Sequence, residues 1–258
     1  MRIIILAAGQ GTRLRPLTDD RPKCLVELAG RPLLQWQLEC AAEVGINDII
    51  VVGGYLIDQL RSFGVPMIEN SAYATTNMVY TLFCAKDLFG EEFIVSYGDI
   101  VYGPEVLRTL VASTAPVSII VDRLWRNYWA QRFADPLANA ESLRTDGSGR
   151  ILSIGQMETD INRIESQFIG LLAFRQSGVT AVRATFAAAQ REAQAGRPPF
   201  GGPRPLEKLF TTDLLQGMIN LGFTLIAVPV NGGWVEIDSI QDITLAERLI
   251  AAGRLKVA

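Results

Sequence analysis

Four nearly continuous apolar runs, Ile3–Leu6, Ile49–Val52, Phe93–Val95 and Val117–Val121, punctuate the first half of this 258-residue chain. A strand that is apolar on both faces must be covered on both faces. Segments of helical periodicity separate the runs, which argues for a parallel sheet with helices packed on each side. We expect strands at Arg2–Ala7, Asp48–Val52, Val65–Glu69, Phe93–Tyr97 and Pro116–Val121, with helices at Leu33–Val44, Tyr55–Ser62, Asn77–Leu88 and Pro104–Ser113. The last of these opens on proline, whose fixed φ suits a first helical turn.

The rhythm breaks after residue 121. Residues 122–148 are polar, aromatic and rich in turn formers. Strands are expected again at Arg150–Gly155 and Gln167–Phe174, then a helix at Thr180–Ala193 and a Pro/Gly loop at 195–205. A helix at Leu206–Leu221, strands at Phe223–Val228 and Trp234–Ile237, and a helix at Ser239–Ala252 complete the pattern. The expected fold is α/β: a Rossmann-like, doubly wound, mostly parallel sheet in one domain spanning 1–258. Its nucleotide-binding part would be about 1–121, with a small acceptor-side insertion at about 122–175.

Composition narrows the chemistry. The chain has no histidine, so Ser-His-Asp and Cys-His mechanisms and His-ligated zinc are excluded. Its three cysteines, Cys24, Cys40 and Cys84, show no CxxC spacing, which suits a reducing compartment. Net charge is −3, without the basic excess of a nucleic-acid binder. No apolar run approaches the roughly 20 residues of a membrane span. We expect a cytoplasmic protein with no nucleic-acid or membrane partner; a homodimer is compatible with the sequence and not required by it. Catalysis is left to carboxylates, cations, backbone dipoles and, where one is bound, a hard metal ion.

The loop after the first strand reads LAAGQGTRLRPLTDDRPK over residues 6–23. Ala7, Ala8, Gly9 and Gly11 allow close backbone approach to a ligand, and the N–H groups of such a turn can form an anion-binding nest. Arg13 and Lys23 add fixed positive charge, as does Arg21, while Pro16 and Pro22 stiffen the connection that delivers Lys23. A dinucleotide fingerprint fits poorly, because Leu14 stands where its third glycine belongs, and no G-K-[ST] follows to make a P-loop. Two acidic points lie far downstream. Asp99 follows a buried strand at its carboxyl end, where open α/β sheets gather ligands. In WVEIDSIQD, strand alternation puts Trp234, Glu236 and Asp238 on one face. Asp238 is also a candidate N-cap for the closing helix. Paired carboxylates can hold Mg²⁺, which prefers oxygen ligands and triphosphate.

The full loop spacing, Gly9, Gly11, Thr12, Arg13, Pro16, Thr18, Pro22 and Lys23, resembles the G-x-G-T-R-x-x-P-x-T-x-x-x-P-K signature of the nucleotidyltransferases that activate sugar phosphates, phosphocholine and related compounds. The Ala-Ala-Gly start and the Glu-Ile-Asp closing segment are most similar to phosphocholine and phosphonate cytidylyltransferases. The resemblance implies a loop (Leu6, Ala7, Ala8, Gly9, Gly11, Thr12) wrapped around a triphosphate, with Arg13 and Lys23 on its phosphates. It implies Mg²⁺ on Asp99 and Asp238, with Glu236 a further ligand or an orienter of metal-bound water. It also implies base contacts from Gly53, Gly54 and Tyr55 and from the stretch Asn70 to Asn77, including Thr75 and Thr76. CTP is the expected donor.

The acceptor is expected to be a small phospho- or phosphono-alcohol. Trp125, Tyr128 and Trp129 would wall its tail, an arrangement suited to an ammonium group. Arg126 and Arg132 would hold its oxyanions, Asp135 and Glu141 an amine or a second metal, and Glu165 and Gln167 would reach the same pocket. The rival classes are a sugar-1-phosphate nucleotidyltransferase, a nicotinamide oxidoreductase, a glycosyltransferase and a non-catalytic nucleotide-binding regulator. The oxidoreductase lacks its third glycine. The glycosyltransferase would show Asp-x-Asp, whereas Ile100 and Val101 follow Asp99.

Overall fold

In the computed structural model, which describes residues 1–257, β1 (Arg2–Ala7) is the hub of a seven-stranded sheet. Two short strands, β2 (Glu27–Leu28) and β3 (Arg31–Pro32), form a hairpin before α1 (Leu33–Glu43). Then follow β4 (Ile49–Gly53), β5 (Met67–Glu69), α2 (Met78–Cys84), β6 (Glu92–Tyr97), β7 (Ile100–Tyr102), α3 (Pro104–Ala112) and β8 (Val117–Asp122). The second half contains α4 (Trp125–Arg132), β9 (Glu141–Thr145), β10 (Ile151–Met157), β11 (Gln167–Arg175), α5 (Ser177–Gln194), α6 (Thr211–Asn220), β12 (Ile226–Val230), β13 (Trp234–Glu236) and α7 (Ile240–Ala251).

The sheet order is β12-β8-β11-β6-β1-β4-β5, parallel except that β11 runs against both β6 and β8. Ile3 and Ile5 belong to one apolar core and Ile4 and Leu6 to the other, on opposite faces of the same strand. That is the physical content of the unbroken IIIL run: alternate side chains feed two cores, and neither face can be polar. The chain leaves β1 toward β4 and β5, then returns to the other side as β6. The switch point therefore lies between β1 and β6, with the signature loop following one and Asp99 following the other. Gly98 lets these strand ends close on each other. Its N–H donates to Leu6 O at 2.9 Å, and a Cβ there would come within 2.8 Å of the same oxygen.

Several boundaries differ from expectation. The segment 55–62 is a 3-10 stretch, Ile57–Phe63. The expected helix 77–88 stops at Cys84, and the expected helix 206–221 begins at Thr211 after a 3-10 turn. β11, placed in the expected insertion, is an interior strand of the main sheet. The irregular stretch 122–148 contains a true helix, α4, whose Trp125, Tyr128, Trp129 and Arg132 share one buried face. No helix among the described residues is long and apolar enough to cross a membrane.

Candidate active site

The signature loop is held by its own residues. Gly11 adopts φ +69°, where a side chain would be strained, and a Cβ there would also lie 2.9 Å from that of Lys23. Leu14 is fully buried and anchors the turn, and the buried Thr18 hydroxyl donates to Gly11 O at 2.8 Å. The chain then passes through extended Pro22 into a single 3-10 turn that points Lys23 back beneath Gly11.

A second device brings the two acidic points together. β7 and β13 pair antiparallel, with Ile100 opposite Glu236, and the Ile237 N–H donates to Asp99 O at 2.9 Å. This ribbon fixes residues 236–238 beside Asp99. Asp122 secures its far end, accepting from Gly232 N at 2.9 Å and Trp234 Nε1 at 3.0 Å.

Lys23, Asp99 and Asp238 therefore meet. Lys23 Nζ donates to Asp99 Oδ2 at 2.6 Å and to Asp238 Oδ1 at 2.7 Å, and Arg13 reaches the same Asp238 oxygen at 2.8 Å. Burial alone would lower the Lys23 pKa, but the two carboxylates outweigh it and raise it above the ordinary lysine value. Burial also opposes ionisation of Asp238; Lys23, Arg13 and Arg132 reverse this and hold its carboxyl below the usual range. Glu236 behaves differently. Burial, then the neighbouring Asp238 charge, push it up to about 7 against the pull of Arg132.

Oxygens of Asp99, Glu236 and Asp238 lie within 4.8 Å of one another. Asp99 Oδ1 is buried without a hydrogen-bond partner. An all-carboxylate set with one unsatisfied oxygen suits a hard divalent cation.

These groups floor a cleft of about 380 Å³ lined by Leu6, Ala7, Ala8, Gly9, Gly11, Thr12 and Arg13, with Thr76 and Asn77 on its rim. Gly54 and Tyr55 do not line it. Tyr55 instead ties the loop in place, its N–H donating to Ala8 O and its hydroxyl to Asp19 O. Tyr73, Met78, Tyr97 and Gly98 do line the cleft. Asn70 is buried, donating to Thr76 and Thr81 and accepting from Ala72 N. Thr75 closes its own turn on Ala72 O, and Arg21 pairs with Asp20.

A second chamber of about 250 Å³ shares Arg13, Met78, Tyr97, Glu236 and Asp238 with the first and extends to Trp129, Phe133, Glu141, Gln167 and Phe168. Burial raises the Glu141 pKa, an effect that a hydrogen bond from Thr212 only partly offsets.

The expected acceptor residues divide sharply. Trp125 is 1% exposed and belongs to the core. Tyr128 turns its hydroxyl to the Glu236 backbone, accepting from its N–H at 2.9 Å. Arg126 lies on the surface, bonded to Ile161 O. Glu165 accepts from Thr145 N and Oγ1, stapling β9. Asp135 accepts from Leu137 N in a turn. The Arg132 side chain is wholly buried among Glu236, Asp238 and Asp242, so it cannot grip an acceptor oxyanion. Of the expected aromatic wall, Trp129 alone lines the chamber. The N-cap of α7 is Ser239 rather than Asp238: its hydroxyl accepts from Asp242 N while Asp242 accepts from Ser239 N.

Known proteins resemble this chain over most of its length. Residues 3–153 match the MobA-like NTP transferase domain. The chain is 37% identical over 254 residues to the CTP:phosphoglutamine cytidylyltransferase of Campylobacter jejuni, covering 94% of this chain and 98% of that one. It is 34% identical to the choline-phosphate cytidylyltransferase of Streptococcus pneumoniae, covering 59% and 68%. The solved structure of a CTP:phosphocholine cytidylyltransferase from S. pneumoniae superposes with a TM-score of 0.72 at 23% identity, covering 96% of this chain and 98% of that one. The glycine-turned signature loop, the switch-point carboxylate and the matched sequence all agree: the chain is a nucleotidyltransferase and belongs to the MobA-like NTP transferase family.

Proposed function

We propose that this enzyme transfers the cytidylyl group of CTP to the phosphorus oxyanion of a small phosphorylated or phosphonylated acceptor bearing a cationic nitrogen, releasing pyrophosphate. The observation that carries this reading is the Lys23 ammonium bridging Asp99 and Asp238 at the mouth of the signature loop. Both named relatives are cytidylyltransferases, one with phosphoglutamine and one with choline-phosphate in its name.

The bond changes are simple. An acceptor oxygen bonds to the α-phosphorus of CTP while the bond from that phosphorus to the oxygen bridging the β-phosphorus breaks. A phosphate monoester has a second pKa of about 6, so its attacking oxygen is already ionised at neutral pH. No general base is needed, which suits a chain without histidine. The protein's work is alignment and charge neutralisation. Backbone N–H groups at Gly9–Thr12 would receive the triphosphate, and Arg13 and Lys23 would neutralise charge building on the α-phosphate and the departing pyrophosphate. Asp99 and Asp238, with Glu236, would hold Mg²⁺, which when bound supplies further neutralisation of phosphate oxygens. The acceptor would occupy the second chamber, with its nitrogen near Glu141 and the rings of Trp129, Phe133 and Phe168.

A pyrophosphate-release screen tests this, pairing CTP, UTP, ATP, GTP and dTTP with phosphoglutamine, phosphocholine, aminoethylphosphonate, hydroxyethylphosphonate and glucose 1-phosphate. Turnover confined to CTP with the nitrogen-bearing acceptors is expected. Turnover of glucose 1-phosphate with UTP or dTTP, and none with CTP, would assign the enzyme to sugar activation.

A further inference from the structure

Arg132 makes four hydrogen bonds to three carboxylates, and none of its side chain is exposed. Its Nη1 donates to Glu236 at 2.6 Å, its Nε to Asp242 at 2.8 Å, and its Nη2 to Asp238 and Asp242 at 3.3 Å each. The rings of Tyr128, Trp129 and Phe133 surround the guanidinium, with centroids 4.9–5.4 Å away. It touches no cleft directly, yet two of its three partners line both chambers.

We infer that Arg132 is a positioning residue for nucleotidyl transfer, holding Glu236 and Asp238 from behind at the geometry the reaction needs. Three acidic groups converge here, and their mutual repulsion would spread them apart. From the cleft side, Asp238 is met by Lys23 and Arg13, but these are the cations a triphosphate would recruit. Among the described residues, Glu236 has one ion-pair partner, Arg132. When the cleft cations turn to the nucleotide, Arg132 remains as the fixed countercharge. Its position is itself fixed: Asp242 accepts from Arg132 Nε and, through its other oxygen, from the N–H groups of Asp238 and Ser239. One guanidinium thus ties α4 to the start of α7 and to the end of β13. The planar fork matters, because an ammonium cannot reach three carboxylates in these directions. α4 also carries Trp129 into the acceptor chamber, so one helix sets both the acceptor wall and the carboxylates.

This inference rests on the cytidylyltransferase reading only for the choice of assay. The test compares wild type, Arg132→Lys, Glu236→Gln and the double variant, with thermal melts and near-UV circular dichroism as fold controls. Mn²⁺ binding is followed by titration calorimetry without nucleotide, alongside kcat and KM for CTP and phosphocholine. Displacing a group that orients metal ligands typically costs about 10- to 100-fold in metal affinity or activity. Arg132→Lys should fold, lose about tenfold or more in kcat and in Mn²⁺ affinity, and change either KM by less than about threefold. In the Glu236→Gln background the same change should cost clearly less, since the two residues act as a unit. A wild type that turns over CTP without binding Mn²⁺ would sink the metal reading, while the kcat loss and its coupling would still decide the role of Arg132. Full activity in Arg132→Lys, a loss confined to the acceptor KM, additive losses in the double variant, or an Arg132→Lys chain that does not fold would each overturn the inference.

Discussion

The ammonium of Lys23 lies 2.6 Å from a carboxylate oxygen of Asp99, although 76 residues separate them in the chain. The signature loop after β1 and the turn after β6 meet at the sheet's switch point through this contact. Lys23 touches Asp238 as well, so it is the hub of the candidate site rather than a peripheral phosphate anchor.

Replacing Lys23 with alanine should cost about 2–4 kcal/mol of transition-state stabilisation, the scale of one lost charge-stabilising donor. The loss should fall on kcat. Steady-state kinetics in CTP separate the outcomes: an unchanged kcat with a raised KM would make Lys23 a ground-state binding residue.

Asp99→Asn keeps the shape of the side chain and weakens its affinity for a cation. Asp99 Oδ1 has no protein partner to lose, but Oδ2 pairs with the buried Lys23, so the melting temperature of the metal-free protein should fall while the chain still folds. Turnover at limiting Mg²⁺ should drop by at least about tenfold, on the scale seen when a metal's surroundings are disturbed. Wild-type activity at low Mg²⁺ would remove Asp99 from the metal site.

Glu236 gives a pH signature. Burial, then Asp238, raise it from 4.5 to about 7, so over this window the folded chain binds the proton more tightly than the unfolded one. Its contribution to stability is complete below the unfolded value and is lost as pH rises through the folded value. Urea midpoints of the metal-free protein at roughly pH 5 and pH 8 should therefore differ less in Glu236→Gln than in wild type. An identical difference in both would assign the slope to other groups.

The signature loop and the apolar strands were legible because each is a local pattern: residue spacing on one side, unbroken hydrophobicity on the other. Asp99 and Asp238 were legible as singular acids at strand ends. What was not legible depends on contacts across the chain. Arg132 reads in the sequence as a grip for the acceptor's oxyanions, yet its partners are carboxylates 104 to 110 residues away. The α4 helix was missed although Trp125, Tyr128, Trp129 and Arg132 follow helical spacing; a polar residue among the aromatics disguised a buried face. The N-cap was legible in principle, since Ser239 and Asp242 form a Ser-x-x-Asp box.

The two tryptophans of α4 should now separate. Trp125→Ala empties a core position and should cost about 3–5 kcal/mol of stability. Trp129 lines the second chamber, proposed to receive the acceptor, as does Glu141. Glu141→Gln should raise KM for phosphocholine or phosphoglutamine while leaving KM for CTP nearly unchanged, and the effect should shrink for hydroxyethylphosphonate. Equal effects on charged and uncharged acceptors would remove Glu141 from nitrogen recognition.

The central claim is that CMP is transferred to the acceptor's phosphorus oxyanion. Phosphorus NMR of a reaction containing CTP, Mg²⁺ and phosphocholine or phosphoglutamine reads it directly. The account predicts pyrophosphate and a new CMP-acceptor diphosphate linkage appearing in equal amounts, with no free CMP. Pyrophosphate accompanied by free CMP, or CTP left intact with every nitrogen-bearing acceptor, would contradict it.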